Sequence, residues 1–321
     1  MFSKQEAINQ MNNWGRQRIP FLFILDFEGE NNILHTLDNV PDTIQYSIGE
    51  DNIVKEKITN NFRFDANPID IEQYSASFAQ VLNELNYGNS YLINLTFPTK
   101  LKTDLGLKTI YDRSKARYKL LVEDDFVVFS PECFLRIQDD KIHSYPMKGT
   151  IDATIADAEN KILSNEKEMA EHSTIVDLIR NDLNRVAENI RVEKFRYVER
   201  IETMKKPLLQ VSSEVVGDLN RDYQNQLGSI LFSMLPAGSI SGAPKIKTIE
   251  IIKAAEMDNR GFFTGVFGVF DGEGLDCGVM IRFIERQGSQ LVFRSGGGIT
   301  AQSNLADEYN EMIQKVYVPF F

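Results

Sequence analysis

Cysteine is nearly absent: the 321 residues hold two, Cys133 and Cys277, far apart and in apolar settings. That excludes a disulfide framework and any CxxC metal spacing. Histidine occurs three times, at His35, His143 and His172, with no HExxH and no nucleophile elbow, so zincin and Ser/His/Asp chemistry lack support. We read the three as structural. No apolar run approaches the roughly 18 residues of a membrane span. The opening "MFSKQEAINQMNNW" lacks the apolar core of a signal peptide. The expectation is a soluble protein of a reducing, cytoplasmic compartment. Basic residues are outnumbered 35 to 46, giving a formal net charge of -11 with no dense Lys/Arg run. General nucleic-acid binding is thereby disfavoured, while an anionic small molecule stays open, because a pocket can be locally positive.

What is present is ordinary globular composition, 42% hydrophobic and 25% charged. There is no internal repeat and no low-complexity linker. The first 65 residues read as short strands, "FLFILDF", "NILHTL" and "TIQYSIG". A helix follows over "NPIDIEQYSASFAQVLNELNYG", where Ile71, Tyr74, Phe78, Val81 and Leu85 share one face and Gly88 ends it. "SYLINLTFP" alternates as a strand, and a helix is expected around 106–119. "FVVFSPECFLRIQDDKIHSYP" reads as strands with a hairpin at Asp139–Asp140, and 153–188 as helical. Two strands, two helices flanking "PAGSISGAP", strand hairpins turning at Gly272 and Gly288, and a last helix complete the chain. Clustered strands with hairpin turns favour an antiparallel α+β fold.

Several residues can carry chemistry. "SYPMKGT" sets Lys148 between Pro146, which fixes φ, and Gly149, which lets backbone approach closely. It reads either as a solvated lysine at a turn or as a held functional cation. Glu308 and Glu311 lie three apart on a helix and share a face, as a solvated acidic surface or as oxygen ligands of the kind Mg²⁺ takes. Glu171 lies in "EMAEHSTIVDLIRND". The run "SGGG", residues 295–298, can turn its N–H groups into an anion-binding concavity, or pack a tight turn. "GSISGAPK" ends at a helix start, where free N–H groups favour a carboxylate or phosphate. Arg282 and Lys315 can add charge-assisted contacts.

These segments, in this order, resemble the chorismate-utilising enzymes, a family that includes anthranilate, isochorismate, salicylate and aminodeoxychorismate synthases. The likeness covers roughly 70–318 and is carried by "GNSYLINLTFP", "SPECFL", "YPMKGT", "EHSTIVDLIRNDLNRV", "PAGSISGAPKIKTIEII" and "SGGGITAQSNLADEYNEMIQKV". It implies one chorismate-binding catalytic domain over 1–321, with 1–65 a shortened N-terminal strand region. The implied fold is two large antiparallel sheets packed as a sandwich, helices outside, with the active site in the cleft between them.

Within the family, aminodeoxychorismate synthases carry lysine in the middle of the P-x-x-G-T motif, where anthranilate and isochorismate synthases carry alanine. Lys148 therefore implies a transferase making 4-amino-4-deoxychorismate, the p-aminobenzoate and folate precursor, from chorismate and ammonia. A separate glutamine amidotransferase subunit is the implied ammonia source. Lys148 matches the family's nucleophile and Glu132 its general acid. Glu171 and Glu311 match the Mg²⁺ ligands, with Glu308 close by. Arg282, Lys315, Gly296, Gly297, Gly298, Ser239 and Gly242 match the substrate-carboxylate contacts. Gln210 replaces a family histidine near the C4 hydroxyl, and Val269 replaces a carboxylate-binding tyrosine. Glutamine still hydrogen-bonds but cannot take up a proton, and valine does neither. The short N-terminal region implies no feedback inhibition by tryptophan. Anthranilate synthesis, or a weakly active scaffold for a glutaminase partner, are the alternative readings.

Overall fold

A computed structural model describes residues 1–49, 62–201 and 207–319. Antiparallel pairing builds two sheets. The nine-stranded sheet runs Met147–Asp152, Leu208–Asp218, Lys141–Ser144, Cys133–Gln138, Leu275–Val279, Val266–Phe270, Phe21–Leu25, Ile33–Thr36, with Glu188–Ile201 also on Leu208–Asp218. The eight-stranded sheet runs Gly242–Ala243, Leu92–Thr103, Gln290–Ile299, Phe283–Gln287, Phe126–Ser130, Tyr118–Val122, Ile44–Ile48, with Phe64–Asn67 also on Leu92–Thr103.

The strand "FLFIL" shows why the sheets stack. Side chains alternate across a strand, and all five residues here are buried. Leu22 and Ile24 join Tyr118, Leu120, Val128, Phe267 and Phe283 in a core drawn from both sheets. Phe21, Phe23 and Leu25 pack the other way, with Met11, Leu227 and Leu231 of two outer helices. Three more helices bury Tyr74, Phe78, Ile252 and Met312 against Ile93, Leu95 and Phe97 of the second sheet. Each such side chain contributes about 1.5–3 kcal/mol of apolar burial. The α+β sandwich with helices outside is the expected one. No helix among the described residues is long and apolar enough to cross a membrane.

Three local expectations need correction. The first 65 residues are not all strand: Lys4–Arg16 is a helix, started by Ser3, whose N–H and hydroxyl both donate to the Glu6 carboxylate. Residues 50–61 of that region lie outside the described ones. The helix expected over 106–119 spans only Leu107–Arg113, and Tyr118–Val122 is a fully paired strand. The helical stretch 153–188 is two helices, Ala158–Ser164 and Glu166–Leu183. They divide at Asn165, whose side chain accepts the Glu168 N–H at 3.1 Å and restarts the helix. The hairpin turn at Asp139–Asp140 is as expected, both residues adopting positive φ (52° and 57°).

Candidate active site

Lys148 does not sit on a turn but inside the strand Met147–Asp152. Met147 pairs with Ser212 and Thr150 with Gln210, so two residues, Lys148 and Gly149, oppose the single Val211. That is a β-bulge, which bends the strand and re-aims one side chain. Gly149 makes it possible, with φ +96°. The bulge presents Lys148 to the helix Glu166–Leu183, where its Nζ meets Glu171 Oε2 at 2.8 Å. Burial pushes the ammonium down. The Glu171 hydrogen bond and the charges of Glu171, Glu311 and Glu168 outweigh this and hold it above the usual lysine range.

Of the carboxylates expected as ligands, Glu171 and Glu311 bear on this lysine. Glu311 Oε1 meets Lys315 Nζ at 2.6 Å. A Cβ at position 297 would lie 3.3 Å from Glu311 Oε1 and 3.4 Å from Glu308 Oε2, so Gly297 leaves the room both carboxylates occupy. Glu168, one turn before Glu171, escaped the sequence reading. Its Oε2 is buried without a hydrogen-bond partner, beside Gly149. The i, i+3 spacing of Glu168 and Glu171 repeats that of Glu308 and Glu311, and that was the available signal. Among the described residues no three acidic, histidine or cysteine groups form a ready-made metal cage, and the carboxylates hold two lysines instead. The carboxylates of Glu168, Glu171 and Glu311, which all act on Lys148, with one buried Glu168 oxygen lacking a hydrogen-bond partner, are oxygen donors of the type a hard divalent cation takes.

Glu132 lies in the two-residue link between the strands Phe126–Ser130 and Cys133–Gln138 and accepts the Ser239 hydroxyl through Oε1 at 2.5 Å. Burial pushes its carboxyl up, against the Ser239 hydrogen bond and the charges of Arg282 and Lys315. Beside it lies a cavity with about 20 Å³ of water-accessible space, room for one water, lined by Glu132, Ser144, Pro146, Asp182 and Ser239 among others. Arg282 has φ +54°, a strained conformation for a non-glycine residue, and its guanidinium stacks 5.0 Å from the Tyr317 ring. Lys315 is held down by burial and by Arg282 and Lys148 nearby, and donates to the Gly296 carbonyl at 2.8 Å.

The expected concavity of "SGGG" is not formed. Gly296, Gly297 and Gly298 lie in the strand Gln290–Ile299, paired with Thr96, Leu95 and Asn94. Ladder pairing won over a nest, and the glycines serve by taking no space. Gly242 pairs with Ile93 next to the turn that carries Ser239, and Gln210 flanks the lysine bulge opposite Thr150. Val269 is half-buried and packs against the core between the sheets.

A buried ion pair not singled out in the sequence ties these parts together. Arg260 is 1% exposed and donates to both Glu256 oxygens (2.9 and 2.6 Å), to the Ile240 carbonyl and to the Asn94 carbonyl (2.8 Å each). Glu256 also accepts the N–H and hydroxyl of Thr96. The turn holding Ser239 is thus locked to the strand beside the glycines. Arg260→Leu is expected to lower unfolding stability by about 3–5 kcal/mol, because it strands a buried carboxylate. A urea midpoint equivalent to a loss under about 1 kcal/mol would contradict this.

A lysine, a protonatable acid and several carboxylates are thus carried by the two sheets of an α+β sandwich and the helices packed on them. The chain belongs to the chorismate binding enzyme family, whose profile matches residues 26–320. It is 51% identical over 320 residues to a Haemophilus influenzae protein named "Uncharacterized PabA-like protein", covering 98% of this chain and 97% of that one. It is 29% identical over 267 residues to aminodeoxychorismate synthase component 1 of Bacillus subtilis, covering 78% of this chain and 56% of that longer protein. Anthranilate synthase components are also among its relatives. In fold it is similar to MenF, the menaquinone-specific isochorismate synthase from Escherichia coli. The TM-score is 0.75 at 14% identity, covering 98% of this chain and 81% of that one.

Proposed function

We propose that this chorismate-family chain is an aminodeoxychorismate synthase, adding ammonia at C4 of chorismate with release of water. The observation that carries the reading is Lys148, set on a bulge with its Nζ 2.8 Å from Glu171; the buried Glu132 with its Ser239 partner supports it. The lysine amine adds at C2, the ring double bonds shift, and the C4 oxygen leaves as water with a proton from Glu132. Ammonia then adds at C4 and the lysine leaves C2. The ammonium must shed its proton first, and neutralising the carboxylates around it works in that direction.

Glu171, Glu308 and Glu311, with Glu168, are the residues that would hold Mg²⁺, whose charge would fix the substrate's ring carboxylate. Arg282, Lys315 and the glycine strand, with the Ser239–Gly242 turn, would take the remaining carboxylate oxygens, and Gln210 would face the C4 side. The whole chain is read as one catalytic unit, since both sheets supply the site. A glutamine amidotransferase subunit is the ammonia source in this reading, and the two free, buried cysteines suit the cytoplasm.

The test is a product assay with chorismate, ammonium and Mg²⁺, read by chromatography and mass. A 4-amino-4-deoxychorismate peak, lost with chelator, is the expected result. Magnesium binding by calorimetry should weaken in Glu311→Gln whether or not the enzyme turns over. The second reading, anthranilate synthesis, is favoured by the anthranilate synthase relatives. It predicts anthranilate with loss of pyruvate instead.

A further inference from the structure

We infer that His172, backed by Ser213, is the positioning residue that holds the lysine bulge in place, an inference resting on Lys148 as the attacking amine. His172 is fully buried. Its Nδ1 lies 3.3 Å from the Lys148 carbonyl oxygen and its Nε2 lies 2.7 Å from Ser213 Oγ. A carbonyl oxygen only accepts, so Nδ1 carries the proton. Ser213 Oγ accepts the Arg196 N–H at 2.9 Å, which leaves its one proton for Nε2. Every donor and acceptor in this chain has a fixed direction, and the imidazole cannot turn over without breaking two bonds.

The placement matters because of the bulge. A bulge takes one residue out of the regular ladder, and here the imidazole supplies a donor at that point. Ser213 holds the same segment a second time, its N–H donating to the Pro146 carbonyl at 3.0 Å. Glu171 and His172 are consecutive on one helix. One takes the tip of Lys148 and the other its carbonyl, so both ends of the lysine are referenced to a single helical turn. The Phe195 ring packs edge-on against the imidazole at 5.9 Å and closes its outer side.

Three variants test this. His172→Leu removes both bonds, His172→Asn keeps an N–H near the Nδ1 position, and Ser213→Ala removes the proton given to Nε2 together with the oxygen that accepts the Arg196 N–H. Two readouts are taken: kcat and KM for chorismate, and pyridoxal phosphate–borohydride labelling of Lys148 relative to Lys315, resolved by peptide mass spectrometry. His172→Leu should lower kcat about 10²-fold with KM changed less than about twofold, as expected for a misplaced reacting group. Labelling of Lys148 relative to Lys315 should rise as the side chain leaves Glu171. His172→Asn should recover most of the loss, and Ser213→Ala should show a smaller change of the same sign.

Folded Leu and Ala variants with wild-type kcat and labelling ratio would overturn the inference. So would an Asn variant as impaired as Leu, since the donor would then not be what counts. Should His172→Leu fail to fold, Ser213→Ala decides, because it deletes one oxygen. Should no variant or wild type aminate chorismate, the functional reading fails, while the labelling ratio still reports whether His172 positions Lys148.

Discussion

Replacing Lys148 by alanine is expected to lower kcat for chorismate amination by about 10³-fold or more, some 4 kcal/mol of barrier. The protein should stay folded, because the side chain is 30% exposed and lies at a bulge rather than in a core. Lys148→Arg separates two roles. Arginine keeps the positive charge beside Glu171, Glu168 and Glu311 but offers no amine that deprotonates. Equal loss in both variants assigns a nucleophile, while near-wild-type activity in the arginine variant assigns a mere counter-charge. Magnesium affinity should not fall in the alanine variant, since Glu171 loses a competing cation. Retention of more than a tenth of wild-type turnover by Lys148→Ala would sink the nucleophile assignment.

The parts of this site differ in how far the sequence displayed them. Helix Ile71–Asn86 was legible because its buried residues, Tyr74, Phe78, Val81 and Leu85, recur at helical spacing around a Pro68 start and a Gly88 stop. The helix Lys4–Arg16 buries only Ala7, Met11 and Gly15, so its apolar stripe is thin and the Ser3–Glu6 capping box was the stronger signal. Lys148 could be picked out beside its glycine, but the bulge could not. A bulge is a property of pairing, fixed by Ser212 and Gln210 some sixty residues downstream. The hydrogen bonds of His172 are hidden from the sequence for the same kind of reason, its partner Ser213 being 41 residues away. The glycine run was misjudged because consecutive glycines suit a nest and a close-packed strand alike. Only the neighbouring strand Leu92–Thr103, running antiparallel beside it, decides between them.

Glu132→Gln carries the other large effect, and its pH dependence has a definite sign. Burial raises the Glu132 carboxyl above its usual range, against the pull of Ser239, Arg282 and Lys315. A carboxyl so raised stays protonated to higher pH, which suits a group that must give a proton to a departing oxygen. In the wild type, kcat should therefore decline as pH rises through this carboxyl's raised pKa, because the acid is then lost. Glutamine can still accept the Ser239 hydroxyl, so the turn should keep its place, but it has no acidic proton. The expected result is a kcat lowered about 10²–10⁴-fold, with the declining alkaline limb assigned to Glu132 absent. Ser239→Ala makes the companion measurement. It removes the bond that opposes protonation, so the limb should move to higher pH. A wild-type limb persisting in Glu132→Gln would assign the titrating acid elsewhere, and an unmoved limb in Ser239→Ala would deny that the 2.5 Å contact sets it. The two variants together separate the group that delivers the proton from the group that tunes it.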